Sequence, residues 1–272
     1  MNLHRCLTSL FCLGFFALCV TPIAYGQTAL WRAHAHNDYE QDRPLREALE
    51  RGIGSVEVDI HLVEGALLVA HDLEDVEASK TLESMYLAPL RTHIAARNGS
   101  VYDDAGSLVL LIDIKSDAEA TYAVLKQQLE SYGDMLTRFE AGEIIEGPVT
   151  AIISGNRPRE TMLAEDIRWA AYDGRLSDLQ NESEIPVSFM PLISSSWMQI
   201  ARWYGQGTFS DAAREKLLAA VQQAHKEGRK IRFWATSDNP RVWEELYSAG
   251  VDYLNADDLA GVQAFLLKKM GK

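Results

Sequence analysis

Eight short runs of aliphatic and β-branched residues, separated by residues of helical periodicity or by loops, fill this chain from residue 30 almost to its end. They are Leu30 to Ala35, Gly54 to Ile60, Leu108 to Ile114, Val149 to Ser154, Arg168 to Tyr172, Val187 to Ile193, Ile231 to Ala235 and Val251 to Asn255. Amphipathic stretches fall between them at Pro44 to Arg51, Leu82 to Arg97, Ala118 to Ser131, Ser210 to Glu227 and Asn239 to Ala249, and Leu259 to Lys269 follows the last. Ser210 and Asp211 can cap the orphan N–H groups of a helix start, and Gly228 and Gly250 stand where helices would stop in the left-handed conformation. Strands this apolar, alternating with helices, belong in a parallel sheet covered by helices. Eight such units in roughly 245 residues predict one α/β domain, a closed (β/α)8 TIM barrel. An open doubly wound sheet is the competing fold, but no G-x-G-x-x-G follows the first run and no Walker A sequence occurs.

The first 26 residues stand apart from this pattern. Arg5 gives a short cationic start, Leu10 to Val20 is apolar, and Ala24-Tyr25-Gly26 places small residues at the −3 and −1 positions of a cleavage site before Gln27. Residues 1–26 are therefore expected to be a secretory signal peptide and residues 27–272 the barrel domain, secreted or periplasmic, with no integral membrane segment after cleavage. All three cysteines, Cys6, Cys12 and Cys19, lie in the leader. The mature chain would have neither disulfides nor thiolate ligands, so a metal site would have to use oxygen and nitrogen. The formal charge is −13, which repels phosphate backbones and argues against a nucleic-acid partner. Oligomeric state is left open.

In a barrel of this kind chemistry gathers at the C-terminal ends of the strands. Side chains alternate across a strand, so Glu57 and Asp59 share one face while Val56, Val58 and Ile60 take the other. Asp113 and Lys115 point inward together in the same way, opposite Leu110, Ile112 and Ile114. Three converging carboxylates repel one another unless neutralised, so Glu57, Asp59 and Asp113 are candidate ligands of one divalent cation, Mg2+ or Ca2+. After the second strand, Val63-Glu64-Gly65-Ala66 signals a turn, and Leu67 to Ala70 would return as a short strand and bring His71 back over the mouth. With a histidine after the first strand, two imidazoles would flank the carboxylates, suited to general acid–base work. His61 has the parity of Glu57 and Asp59 but is expected to be a surface or core residue.

The segments His36-Asn-Asp-Tyr39, Pro44-Leu-Arg-Glu-Ala-Leu49, Gly52, Val56-Glu-Val-Asp59 and Leu68-Val-Ala-His-Asp72 together resemble the first third of the phosphatidylinositol phospholipase C-like phosphodiesterase superfamily. That group includes the glycerophosphodiester phosphodiesterases and sphingomyelinase D enzymes on a (β/α)8 barrel. The His-Ala-His-Asn-Asp-Tyr opening is most similar to the branch named for altered inheritance of mitochondria. The likeness continues through Asp113-Ile-Lys115, Phe233-Trp-Ala-Thr236 and Asp252-Tyr-Leu-Asn-Ala-Asp257. It implies His36 and His71 as the catalytic pair, Glu57, Asp59 and Asp113 as metal ligands with Asn37 as an extra one, Lys115 as a phosphate contact and Trp234 as an aromatic wall of the substrate pocket. His34 competes with His36 for the catalytic role. The glycerophosphodiesterase opening His-Arg-Gly and its Glu-Asn pair are absent, and the arginine expected beside the phosphate has no counterpart in that motif.

The activity expected is metal-dependent phosphoric diester hydrolysis on a glycerophosphodiester or phospholipid-type substrate, by His/His general acid–base catalysis. The partner would be a small-molecule or lipid phosphodiester. Two other classes compete: a non-catalytic barrel that binds a ligand or metal, and an amidohydrolase-type metal hydrolase using His34 and His36. The latter needs histidines after later strands, and beyond His71 the chain has only His93 and His225, both in helical stretches.

Overall fold

A computed structural model describes residues 28–104, 106–179 and 185–272. The expected leader, residues 1–26, lies outside the described residues. Among the described residues twelve strands form: β1 (Leu30–Ala35), β2 (Ile53–Val63), β3 (Ala66–Val69), β4 (Leu108–Ile114), β5 (Arg138–Glu140), β6 (Glu143–Ile145), β7 (Val149–Gly155), β8 (Ile167–Arg168), β9 (Ala171–Gly174), β10 (Leu192–Ser196), β11 (Lys230–Trp234) and β12 (Leu254–Ala256). The helices are α1 (Arg46–Arg51), α2 (Ala88–Ala96), α3 (Ala118–Glu130), α4 (Arg159–Leu163), α5 (Asp211–Lys226), α6 (Pro240–Ala249) and α7 (Leu259–Lys269).

The parallel order β11-β10-β9-β7-β4-β2-β1-β12 closes on itself through a bridge between Arg232 and Tyr253. The protein is a TIM barrel. Alternation decides what each strand buries: Val56, Val58, Ile60, Leu110, Ile112 and Ile114 join the large core beneath the helices. Val109, Leu111, Ile152, Ala171, Leu192 and Tyr253, with Phe139 of β5, fill the barrel itself as a separate cluster. Helix ends follow local chemistry. The Ser210 hydroxyl accepts from Ala213 N at 3.2 Å, and Gly250 ends α6 at φ 90°, where a side chain would strain the backbone.

The structure shifts three expected strands. Arg168 leaves the barrel for a small sheet of order β6-β5-β8, because its guanidinium lies against Phe139 and Phe189, 5.2 and 5.0 Å from the ring centroids; the barrel strand begins at Ala171 instead. Val187 to Met190 forms a turn rather than a strand, with Phe189 stacked on Tyr172 at 5.1 Å, and β10 starts at Leu192. Val251 and Asp252 precede β12 instead of opening it. The expected helix Leu82 to Arg97 splits into a π-helical turn, Glu83–Leu87, followed by α2. The expected hairpin is present, with β2 and β3 antiparallel from Ile60↔Val69 to Val63↔Ala66.

Candidate active site at the barrel mouth

Parallel register places Asp59 of β2 beside Asp113 of β4, and Asp113 beside Ser154 of β7. Glu57, one inward step below Asp59, completes a group in which one oxygen from each carboxylate lies within 4.8 Å of the other two. Room for Asp113 depends on Gly155, which has φ +68°; a Cβ there would fall 2.1 Å from Asp113 Oδ1. Burial pushes the Asp113 carboxyl up to about 6 against the opposing pull of Lys115. The Lys115 ammonium stands 3.0 Å from Asp59 Oδ2 and 3.3 Å from Asp113 Oδ1. Burial would lower its pKa, but these two carboxylates hold it above the ordinary lysine value.

Asp59 is the most heavily engaged carboxylate of the group. It is fully buried, and its Oδ2 receives the Tyr39 hydroxyl at 2.8 Å, His71 Nδ1 at 2.9 Å and Lys115 Nζ. Its Oδ1 is buried with no hydrogen-bond partner among the described residues. A buried carboxylate oxygen without a donor is costly unless something positive meets it. With the hard oxygens of Glu57 and Asp113 alongside, the donor set fits a divalent cation.

His71 follows the β3 return strand, and its main-chain carbonyl accepts from His61 Nε2 at 3.1 Å. His61 is thus a buried residue that pins the loop. Ionised carboxylates only accept, so His71 donates Nδ1–H to Asp59, which leaves Nε2 for a substrate. His36, at the end of β1, repeats the arrangement, with Nδ1 2.8 Å from Asp257 Oδ1 in the loop after β12. Burial would lower the His36 pKa, but the Asp257 hydrogen bond and the charge of Glu57 raise it above the usual value.

His34 takes a different part. It is buried, with Nδ1 2.7 Å from Ser55 Oγ, and Nε2 2.9 Å from Glu57 Oε2 and 2.7 Å from Arg232 Nη1. Burial and the Arg232 charge drive its pKa down to about 3. The ring is therefore neutral and accepts from the guanidinium, and both nitrogens are engaged. An amidohydrolase-type metal site would need His34 free. Glu57 is burdened by burial, yet the Arg232 guanidinium 2.9 Å away holds it well below the usual carboxylate range.

The remaining predicted residues sit around this centre. Asn37 adopts a left-handed conformation at φ 44°, and its amide nitrogen is 3.5 Å from Glu40 Oε1. Trp234 ends β11 and is 37% exposed, on the same face of the strand as Arg232. Arg232, Asp257 and Tyr39 were missed as site residues by sequence reasoning. Alternation along Ile231 to Ala235 could have found Arg232, which shares the inward face of Trp234. Tyr39 and Asp257 close the segments His36 to Tyr39 and Asp252 to Asp257, but nothing in the sequence says which ring or carboxylate they touch. Across the mouth, buried Asp173 is held through Oδ2 by Ser154 and Arg175, both at 2.8 Å, while its Oδ1 has no hydrogen-bond partner among the described residues.

Residues 26–173 match the AIM6-like phosphodiesterase domain. The chain belongs to that family. Residues 230–260 match the glycerophosphoryl diester phosphodiesterase family. This AIM6-like chain is 30% identical over 275 residues to altered inheritance of mitochondria protein 6 of Eremothecium gossypii, covering 87% of the chain and 69% of that protein. It is 27% identical over 262 residues to the Arthroderma benhamiae homolog, covering 85% and 82%. Among solved structures, a glycerophosphodiester phosphodiesterase from Parabacteroides distasonis superposes with TM-score 0.53 at 15% identity, covering 88% of this chain and 98% of that one. A candidate glycerophosphoryl diester phosphodiesterase from Agrobacterium tumefaciens gives 0.51 at 17%, covering 91% and 100%. At these identities the likeness is one of fold.

Proposed function

We propose that this chain is a metal-dependent phosphoric diester hydrolase in which Glu57, Asp59 and Asp113 hold one divalent cation, Mg2+ or Ca2+, and His36 and His71 exchange protons with the substrate. The observation that carries the reading is Asp59: a buried carboxylate with three donors on one oxygen, none among the described residues on the other, and a histidine and a second carboxylate at its side. Asn37 is proposed as a further ligand. When bound, the cation supplies neutralisation of the phosphoryl oxygens.

The chain's own groups supply the rest. Lys115 spends two N–H groups on Asp59 and Asp113 and has a third for a phosphoryl oxygen. His36, made more basic by Asp257, takes the proton of the attacking hydroxyl at Nε2; His71 gives a proton to the departing oxygen, or the two exchange parts. A neighbouring hydroxyl on the substrate would give a cyclic phosphate, and water would give direct hydrolysis. Trp234 would line the pocket.

The substrate is proposed to be a glycerophosphodiester or phospholipid-type diester, and export of the chain to the periplasm or outside the cell is proposed from residues 1–26. Among the described residues no helix is long and apolar enough to cross a membrane. A second reading, a binding barrel without turnover, draws on the same residues: Lys115 and Arg232 already neutralise much of the carboxylate charge. Phosphorus NMR on purified protein with glycerophosphodiesters, lysophospholipids and phosphoinositides, each with Mg2+ and with Ca2+, separates the two. Turnover that disappears in chelator supports the hydrolase; cation binding without turnover of any diester supports the binding barrel.

A further inference from the structure

At the end of the barrel opposite the carboxylates, the starts of the strands surround a cavity of about 460 Å3. Its floor is Val109, Ile152, Leu192 and Tyr253, members of the cluster that fills the barrel and so separates this cavity from the mouth. Trp31 makes one wall, packed so closely on Gly106 that a Cβ there would fall 2.2 Å from its ring. Ile144 of β6 makes another and is 45% exposed. The hydroxyls along the edge satisfy one another, with Ser107 and Thr137 each 2.8 Å from Thr150 Oγ1.

Lys230, the first residue of β11, breaks this apolar lining. Among the described residues its polar partner is a phenol, with Nζ donating to Tyr253 OH at 3.0 Å, which leaves the Tyr253 proton to donate onward. Glu146 is the other charged residue of the lining. An ammonium and a phenol proton side by side match the two oxygens of a carboxylate, and the apolar floor matches an aliphatic body. The volume is within the range of small-molecule sites, roughly 300–1,000 Å3.

We propose that this cavity binds the anion of a medium-chain fatty acid, its carboxylate on Lys230 Nζ and Tyr253 OH and its chain over Val109, Ile152 and Leu192. Charge complementarity with an ammonium that forms no ion pair among the described residues selects this occupant over a neutral lipid. The site is independent of the mouth and does not rest on the phosphodiesterase reading.

Isothermal titration of the full chain with monomeric decanoate, and with decanol as the uncharged analogue, tests it. Saturable binding of one decanoate per chain is expected, weakened at least tenfold in Lys230→Met while decanol binding stays unchanged. Ile144→Glu, at an exposed position that a charge does not unfold, should weaken decanoate by a similar factor, and His71→Ala should leave it unaltered. Absence of saturable binding, equal affinity in Lys230→Met and wild type, or loss of binding in His71→Ala would each overturn the assignment.

Discussion

Replacing Arg232 by methionine removes the guanidinium that meets Glu57 inside the barrel while keeping a long apolar side chain. The two side chains are only 3% and 5% exposed, and their charged atoms are 2.9 Å apart. At an effective dielectric near 20, opposite unit charges about 4 Å apart attract by roughly 4 kcal/mol. Breaking a buried pair by removing one partner costs about 3–5 kcal/mol, because the other charge stays desolvated. A domain of this size loses roughly 2–4 °C of Tm per kcal/mol, so Arg232→Met should melt roughly 6–20 °C below wild type in calorimetry. The scan is run in chelator, so that no cation compensates Glu57. Adding Glu57→Gln should return most of the loss, since the orphaned charge is then gone, and the two changes should be strongly non-additive. A single-variant loss below about 2 °C, or simple additivity, would refute the claim that Glu57 is a buried anion dependent on Arg232.

Other expectations follow from the same geometry. His36→Ala and His71→Ala should each lower diester turnover by about 10² to 10⁴ if they act as general acid and base, measured as kcat on correctly folded protein; full rate in both would exclude that role. Gly155→Ala meets both a left-handed backbone and the Asp113 carboxylate, and should cost about 1–2 kcal/mol of stability and weaken cation binding about tenfold, read by denaturation and titration. Asp38, buried under the loop after β1, accepts from Leu45 N and Tyr86 OH, and burial raises its pKa to about 6. The folded state then binds this proton more tightly than the unfolded one, so the contribution is present below about pH 4 and lost as pH rises through about 6. Relative to Asp38→Asn, wild type should therefore lose stability between pH 4 and 7 in denaturant titrations, and parallel curves would contradict the assignment.

Much of the barrel is legible because alternation is local information. Val56, Val58 and Ile60 against Glu57 and Asp59 is a period-two pattern, and the structure buries each set on the side that the pattern dictates. Glycine and serine at helix ends are equally local. What escaped depends on contacts far apart in sequence. Arg168 looks like the start of a barrel strand until Phe139 and Phe189 draw it away, and Val187 to Met190 looks extended until Phe189 stacks on Tyr172.

The site divides along the same line. Which residues face the mouth follows from parity, so Glu57, Asp59, Asp113 and Lys115 could be named together before any fold was known. Which of them pair does not follow. The sequence leaves His34 and His36 as rivals two residues apart, and only the closed barrel puts His34 beneath Arg232 and gives His36 the Asp257 carboxylate. Asp257 is separated from His36 by nearly the whole domain, and ring closure between β1 and β12 brings them together.

The central claim is that Glu57, Asp59 and Asp113 form one cation site. Crystals soaked in Mn2+, with data collected at its absorption edge, test it directly. An anomalous peak within bonding distance of Asp59 Oδ1 and of oxygens from Glu57 and Asp113 is the predicted result. A map empty at that point in crystals that take up Mn2+ elsewhere, or one showing Lys115 still bridging Asp59 and Asp113 with no ion, would contradict it.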